Sequence, residues 1–269
     1  MRLGCCGKLE DAEAIKAAGF DFLEILVQPV LRGHEPSSVW DATAPDISKL
    51  PLPIEAANSL LPATMPIIGP NRDMVALQDY MQRIAKRAQK LGIKRLVLGS
   101  GKARMRPENV SPEQAMKEII EFASMAGQIC GHHDVMLVVE HLNYPECNTI
   151  NKLSETLAIC EAINSPHVQG LVDSYHWGLE KDTDQAILDL GPLIRHVHIA
   201  EVDGRHEPGH PATPGNEFDF ESFFCVLRKA GYNERISIEA KWTGPIAEKG
   251  PEVVKRLREA WDAAGKCES

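Results

Sequence analysis

The chain has 269 residues, of which 43% are hydrophobic and 25% are charged, and its formal net charge is −9. An acidic chain is poorly suited to a broad nucleic-acid contact, because that affinity comes mainly from Lys and Arg neutralising phosphates. No segment approaches roughly 18 consecutive apolar residues, and the first residues lack the apolar core of a signal peptide. We therefore expect a soluble, cytoplasmic protein with a small-molecule substrate and without membrane or nucleic-acid partners.

Short apolar segments alternate with helix-like segments along the whole chain. We predict eight strands, at residues 2–6, 22–27, 54–58, 95–99, 135–140, 169–173, 194–199 and 235–240. The clearest helices are predicted at residues 9–19, 74–92, 111–131, 149–164 and 219–231. Residues 28–53 and 202–218 are the only long stretches that read as irregular.

This alternation predicts parallel strands joined by right-handed crossovers, in either an open sheet or a closed barrel. No GxGxxG sequence follows the first strand, which weakens the case for a dinucleotide-binding open sheet. Eight strand–helix repeats in a chain of this length are typical of a (β/α)₈ TIM barrel. Because no linker separates two halves, we expect a single domain over residues 1–269.

The seven cysteines are odd in number and contain no CxxC pair. Cys130, Cys160 and Cys225 lie inside helix-like apolar patterns. This usage favours reduced, buried thiols in a reducing compartment and gives little support to a thiolate zinc site.

Four consecutive predicted strands end on a potential metal ligand: Glu140, Asp173, His198 and Glu239. In a TIM barrel the carboxyl ends of the strands share one rim, where active sites are built. A single strand-end acid often caps the next helix or pairs with a lysine, but three carboxylates on one rim repel each other unless a cation compensates them. Oxygen-rich ligation with one imidazole favours a divalent ion such as Mn²⁺, Mg²⁺ or Co²⁺.

Two further features remain open at this point. His196 has the same parity as His198 but lies one layer deeper, which favours a hydrogen-bonded histidine of the barrel core. The stretch GSGKARMRP, residues 99–107, carries Lys102, Arg104 and Arg106 after the fourth strand. These cations could attract a substrate phosphate or could form an ordinary solvated loop.

The motifs VEHLNYPE, VDSYH, HVHIAEVDGR and IEAKW, in this order, resemble the sugar phosphate isomerase/epimerase family of xylose-isomerase-like TIM barrels, which includes ketose 3-epimerases of the D-tagatose 3-epimerase type. The resemblance implies one divalent ion, Mn in preference to Co, Mg or Zn, bound by the four strand-end residues. It also implies that Glu146, His176 and Arg205 contact the sugar. A homo-oligomer is compatible with it.

The chemistry expected of such a site is proton transfer at the carbon next to a carbonyl, through an enediolate. Glu140 and Glu239 are the candidate catalytic carboxylates: one acting alone gives isomerisation, and both give epimerisation. The segment GRHEPGHPATPGNEFDF also resembles the corresponding loop of hydroxypyruvate isomerases, although those enzymes tend to carry Gln where this chain has His198. We therefore rank hydroxypyruvate isomerase second.

Two alternatives come from other functional classes. An endonuclease IV-like hydrolase would need extra histidine ligands on strands two to four, and ANSLLP (57–62) and LVLGSG (96–101) provide no histidine or acid. A noncatalytic sugar-binding barrel would have no need for the intact set of four ligands.

Overall fold

The computed structural model describes residues 1–268 and closes eight strands into one barrel in sequence order. Each strand pairs in parallel with the next, and the first pairs with the last. The strands are β1 (Arg2–Cys6), β2 (Phe22–Leu26), β3 (Ile54–Asn58), β4 (Arg95–Leu98), β5 (Met136–Glu140), β6 (Val168–Asp173), β7 (Ile194–Ile199) and β8 (Arg235–Ile238). The predicted (β/α)₈ fold is confirmed.

Helices connect the strands on the outside of the barrel. They are α1 (Ala12–Ala17), α2 (Val27–Leu31), α3 (Ser37–Thr43), α4 (Met74–Lys90), α5 (Pro112–His132), α6 (Leu153–Ile163), α7 (Ser174–Leu179), α8 (Asp184–Leu190), α9 (Phe220–Lys229) and α10 (Ile246–Ala264). The region 28–53, predicted to be irregular, contains most of α2 and all of α3. Within residues 1–268, no helix has both the length and the apolarity to cross a bilayer.

Several helices begin where a short polar side chain replaces the missing backbone acceptor. Asp73 accepts hydrogen bonds from the backbone N–H groups of Val75 and Ala76 at 3.0 Å at the start of α4. Asp219 accepts one from the N–H of Ser222 at 3.0 Å at the start of α9. These caps fix where the chain turns from loop to helix.

Alternation of side chains along the strands separates two apolar regions. The main core lies between the barrel and the helices, and a small separate cluster contains Val97, Val138 and Leu171. Close packing of β1 on β2 depends on Gly4, because a Cβ there would lie 2.2 Å from Cε2 of the buried Phe22 ring. Alternate residues of a strand point into the barrel along its whole length. One strand can therefore place functional side chains at the amino end and at the carboxyl end of the barrel.

The cysteines agree only in part with the sequence prediction. Cys130 and Cys160 are buried free thiols, and burial raises the pKa of each to about 12. Cys225 on α9, however, forms a disulfide with Cys267 near the end of the chain. The prediction of a reduced thiol is wrong for Cys225, because its partner is 42 residues away in sequence and is brought near only by packing of the C-terminal segment.

Candidate active site

The carboxyl ends of β5 to β8 bring the four predicted ligand residues together. One candidate ligand atom from each of Glu140, Asp173, His198 and Glu239 lies within 4.8 Å of the others. Glu239 is the first residue after β8 and not its last strand residue, but its N–H still donates to the carbonyl of Ile199 at 3.1 Å. The side chain therefore reaches the same rim as the other three.

The His198 imidazole lies at the centre of this cluster and is fully buried. Its Nδ1 is 3.0 Å from Glu140 Oε1, 3.3 Å from Glu239 Oε2 and 4.0 Å from Asp173 Oδ2. Three carboxylates thus face one ring nitrogen in a site that excludes most water.

Glu24 on β2 is a residue of this site that the sequence analysis missed. Its Oε1 accepts a hydrogen bond from Nε2 of His198 at 2.9 Å, and its Oε2 lies 2.7 Å from Nε2 of His196. Because an ionised carboxylate can only accept, this contact places a proton on Nε2, so Nδ1 faces the cluster and either carries a second proton or is free to bind a cation. The signal was present in the sequence, since FLEIL places a charge inside a buried strand.

Burial and neighbouring charges shift the pKa values of the three carboxyl groups in different directions. Burial raises the pKa of Glu140 and of Asp173, and the charge of Glu239 raises both further. Burial alone would raise the pKa of Glu239 too, but the charge and hydrogen bond of His198 lower it below its usual range. Burial would lower the pKa of His198, yet the charges of Glu24 and Glu239 raise it well above its usual value. Negative charge dominates the rim.

The chemistry of these donors fits one divalent cation. Three carboxylates and one imidazole nitrogen form an oxygen-rich set of the kind that Mn²⁺ and similar ions bind. In the protein alone, His198 Nδ1 lies 3.0 Å from a Glu140 oxygen, a spacing that a proton or a metal ion between the groups would stabilise. The carboxylate of Glu24 behind the imidazole supplies the outer support that metal-binding histidines usually have.

The three predicted substrate contacts lie beside this cluster. Arg205 donates to Glu239 Oε2 at 2.8 Å and to Glu146 Oε1 at 3.1 Å, and its guanidinium lies 4.8 Å from the Tyr175 ring centre. Arg205 has a φ of +55°, a left-handed conformation that is costly for a residue with a side chain. A backbone hydrogen bond from Lys241 N to its carbonyl, 2.8 Å long, helps to hold it there.

His176 presents one free nitrogen to the same space. Its Nδ1 accepts a hydrogen bond from the backbone N–H of Asn143 at 3.0 Å, so the neutral ring carries its proton on Nε2. Nε2 is buried, has no hydrogen-bond partner within residues 1–268, and lies 3.8 Å from Asp173 Oδ2. Burial lowers the pKa of His176, which favours this neutral donor form.

Two more residues shape the rim and were not identified from the sequence. Asn58, at the end of β3, donates from Nδ2 to Glu239 Oε1 at 3.0 Å. Gly99, just after β4, leaves room for Glu140, because a Cβ at this position would lie 2.1 Å from Glu140 Oε2. The only sequence signal was a polar or glycine residue directly after an apolar strand, which is also common at ordinary turns.

The basic stretch after β4 has a different role for each cation. Arg104 is fully buried, and its Nη1 donates to the carbonyls of Leu98 at 3.1 Å and Glu140 at 2.6 Å. Lys102 is exposed, and the Arg106 guanidinium donates to the carbonyl of Val110 at 2.8 Å. Arg104 is therefore neither a solvated side chain nor an open phosphate contact, because it supports the ends of β4 and β5 from within.

Comparisons with known proteins agree with this architecture. The family model described as xylose isomerase-like TIM barrel matches residues 12–261. A human protein provisionally named hydroxypyruvate isomerase is 24% identical over 199 residues, covering 72% of this chain and 69% of the human one. A ketose 3-epimerase of Arthrobacter globiformis is 31% identical over 110 residues, covering 40% of this chain and 36% of that protein. The solved 3-keto-D-glucoside 4-epimerase of E. coli shares the fold, with a TM-score of 0.77 and 23% identity over 96% of this chain and 99% of its own.

Proposed function

The chain belongs to the xylose isomerase-like TIM barrel family, and on this premise we propose that it is a divalent-metal-dependent isomerase or epimerase of a ketose or ketose phosphate. The observation that carries the proposal is the convergence of three carboxylates and one imidazole within 4.8 Å. The named activity of the Arthrobacter relative, a ketose 3-epimerase, supports the substrate class.

Glu140, Asp173, His198 and Glu239 would hold the ion. Manganese is favoured over cobalt and zinc because the donors are mostly carboxylate oxygens, and over magnesium because one donor is an imidazole nitrogen. Such an ion polarises a carbonyl and an adjacent hydroxyl group, which makes the neighbouring carbon more acidic. Asp173 and His198 act only as ligands in this proposal. The two glutamates also have the geometry to act on protons.

Glu140 on β5 and Glu239 after β8 approach the central imidazole from different strands. A substrate lying between them would expose one face of its reacting carbon to each carboxylate. One ionised glutamate would remove the proton from the carbon next to the carbonyl and keep it, leaving an enediolate, and the other, starting protonated, would donate its own proton to the opposite face. If both glutamates transfer a proton, the configuration of the carbon is inverted and the enzyme is an epimerase. If a single glutamate transfers the proton between neighbouring carbons, the carbonyl group moves and the enzyme is an isomerase.

The residues beside the cluster would hold the sugar. The Nε2–H of His176 has no protein acceptor within residues 1–268, so it is available to a substrate oxygen. Arg205 is held between Glu146 and Glu239 and can donate to a further oxygen while keeping the glutamate in place. Fixed donors of this kind lower the entropic cost of reaching the reactive geometry.

Hydroxypyruvate isomerase is the second candidate, and the human relative that covers 72% of the chain favours it. The loop with the GRHEPG sequence, however, also has a structural reason for its residues. Glu207 in this loop is fully buried and accepts a hydrogen bond from the N–H of Thr243 at 2.9 Å. The loop sequence alone therefore does not select hydroxypyruvate over a longer sugar.

A substrate screen tests the proposal. The purified protein is treated with chelator, reloaded separately with Mn²⁺, Co²⁺, Mg²⁺ or Zn²⁺, and incubated with ketoses, ketose phosphates and hydroxypyruvate. We expect turnover of a ketose substrate that needs the added ion, with deuterium from D₂O appearing on the carbon next to the carbonyl. Turnover of hydroxypyruvate alone would select the second candidate. Turnover that is insensitive to chelation would contradict the metal-dependent mechanism.

A further inference from the structure

The opposite mouth of the barrel, where the strands begin, carries a second cluster of charge. Arg2 on β1 and Arg235 on β8 both pair with Glu55 on β3, and the Nε of Arg235 lies 3.1 Å from Glu55 Oε2. One carboxylate shared by two guanidiniums leaves one positive charge without a partner. Side-chain exposure is 49% for Arg2, 17% for Arg235 and 16% for Glu55, so the cluster is partly shielded from water.

The neighbouring strands repeat the arrangement. Arg95 on β4 and Arg195 on β7 both face Glu234, with N–O distances of 3.2 Å and 3.8 Å. The pKa of Arg95 is lowered by burial and also by the charge of Arg235, which means that the two sets are close enough to repel. Positive charge therefore accumulates at this mouth, although the whole chain is strongly acidic.

A cavity of about 680 Å³ opens on the first of these sets. Among residues 1–268, Arg2, Arg235 and Lys94 line it with a single carboxylate, that of Glu55, and Lys94 is itself paired with Asp134. Much of the remaining wall is apolar and includes Leu52, Ile54 and Leu91. The Nη1 of Arg235 is buried and has no hydrogen-bond partner within residues 1–268, so one guanidinium donor is left unused.

We infer that this cavity binds a small dianion, a phosphate group that is either free or part of a phosphorylated metabolite. Guanidinium groups present paired N–H donors that match phosphate oxygens, and the positive charge that Arg2 and Arg235 hold in excess of Glu55 remains available for them. The apolar wall would accommodate the carbon skeleton of a phosphorylated ligand. A long polyanion is disfavoured, because the net charge of −9 would repel it beyond the cavity.

This site is separate from the metal-ligand cluster. Arg235 and Glu239 lie on the same strand and its extension, four residues apart, which corresponds to roughly 13 Å along an extended chain. The buried Ser237, which has the same parity, lies between the two charge clusters on this strand. Binding at the amino mouth does not depend on the proposed reaction, and the two can be tested independently.

The experiment is calorimetric titration of the full-length protein, freed of unbound metal by gel filtration, with inorganic phosphate and with glycerol 3-phosphate. We expect saturable binding that Arg235→Gln weakens about tenfold or more, because a charge-assisted hydrogen bond is lost. Glu55→Gln removes the only carboxylate of the cavity and should strengthen binding about threefold or more. This second variant tests the site even if Arg235→Gln does not fold.

Two control variants separate this site from other cations. Arg258→Gln removes a guanidinium at the same end of the barrel that pairs with Asp21 and does not line the cavity, and Arg205→Gln removes one at the metal-ligand cluster. Both should bind phosphate within twofold of the parent protein. Tighter binding of glycerol 3-phosphate than of phosphate would identify a phosphorylated metabolite as the ligand class, and equal binding would identify free phosphate. No saturable binding, or loss in Arg205→Gln but not in Arg235→Gln, would overturn the inference.

Discussion

The two mouths of the barrel handle charge in opposite ways. At the carboxyl end, Glu140, Asp173 and Glu239 surround a single imidazole, that of His198, and negative charge is left in excess. At the amino end, Glu55 and Glu234 each lie between two arginines, and positive charge is left in excess. The carboxyl end is also drier: Glu140 is 4% exposed, whereas much of the amino-end network is in contact with solvent.

The different solvent exposure of the two mouths determines which unpaired charges each mouth can tolerate. A carboxylate in a dry site needs a compensating charge, since the cost of leaving it ionised and unpaired is large. Partly solvated arginines tolerate an excess charge, because water and counter-ions screen it. Arg235, Ser237 and Glu239 share one parity on β8 and its extension, so a single strand serves both environments.

The largest effect is expected from removing one of the carboxylates at the carboxyl end that we propose to transfer protons. Glu140→Gln and Glu239→Gln keep the shape and one oxygen of each side chain but remove the base. We expect turnover to fall by ~10²–10⁴ in both variants for an epimerase. For an isomerase with one base, only one variant should fall that far. The measurement is turnover in D₂O, with deuterium incorporation followed separately from product formation.

The matched control for this comparison is Glu234→Gln, the same change at the amino end. Its turnover should stay within about twofold of the parent, because Glu234 contacts arginines and not the ligand cluster. An epimerase with one glutamate replaced should still exchange one proton while failing to invert the centre. If neither carboxyl-end variant slows turnover more than a few-fold, the glutamates serve only as ligands.

Gly99→Ala should disturb the same carboxylate without changing any charge. The new Cβ would lie 2.1 Å from Glu140 Oε2, so the side chain must move. Misplacement of a catalytic group by about 1 Å can reduce turnover by ~10². The control is Gly244→Ala, where a Cβ would only make ordinary contact with the flexible Lys249 side chain. Turnover of Gly99→Ala equal to that of the control would mean that Glu140 is free to occupy another position.

How far the sequence predicts this site depends on whether a signal is local. Strand parity and the position of a charged residue at the end of an apolar run are local properties, and they predicted the strands and brought Glu140, Asp173 and His198 to one rim. Glu239 was found in the same way, although β8 ends two residues earlier than predicted. The roles of these residues stay predictions, but their proximity follows from the barrel.

Non-local packing explains what was missed. Glu24 has its function only because β2 lies across the barrel from β7 in a closed sheet, and the sequence cannot show which side chains meet across the interior. Arg104 looked like one cation of a surface loop, yet the loop folds inward and buries it. The pairing of Cys225 with Cys267 likewise depends on where the final turn packs.

Glu24→Gln is expected to have a moderate effect, on metal affinity first. The glutamine side chain is neutral and has one acceptor oxygen, so it cannot replace both of the carboxylate oxygens that contact His196 and His198. The protonation state and the ring orientation of His198 then become less well defined. Loss of such outer support typically lowers metal affinity by ~10–100-fold. Calorimetric titration with Mn²⁺ measures this without relying on turnover. Glu118→Gln, a buried glutamate that accepts from the backbone of Gly69, is the control and should bind the metal normally.

A spectroscopic measurement distinguishes orientation from a general loss of structure. The ¹⁵N chemical shifts of His198 report which ring nitrogen carries the proton. In the parent protein loaded with Mg²⁺, where the ion would take Nδ1, the remaining proton should reside on Nε2. The Glu24→Gln variant should show a mixture of tautomers or the opposite one. Unchanged shifts together with unchanged Mn²⁺ affinity would remove Glu24 from the proposed role.

The smallest effect is expected from Arg195→Gln at the amino end, and it tests whether the two mouths are independent. Arg195 Nε lies 3.8 Å from Glu234 Oε1, and the side chain is 34% exposed, so the ion pair is long and partly screened. Pairs of this kind contribute about 1 kcal/mol or less to the free energy of unfolding. Urea denaturation should show a loss of this size, which 0.5 M salt should reduce further, since the Debye length then falls well below ~8 Å. Mn²⁺ affinity and turnover should remain within about twofold of the parent protein, because the altered charge lies several residues along the strands from the ligand cluster. A larger change in metal affinity would mean that charge at one mouth is felt at the other, and the two ends could then no longer be treated as separate sites.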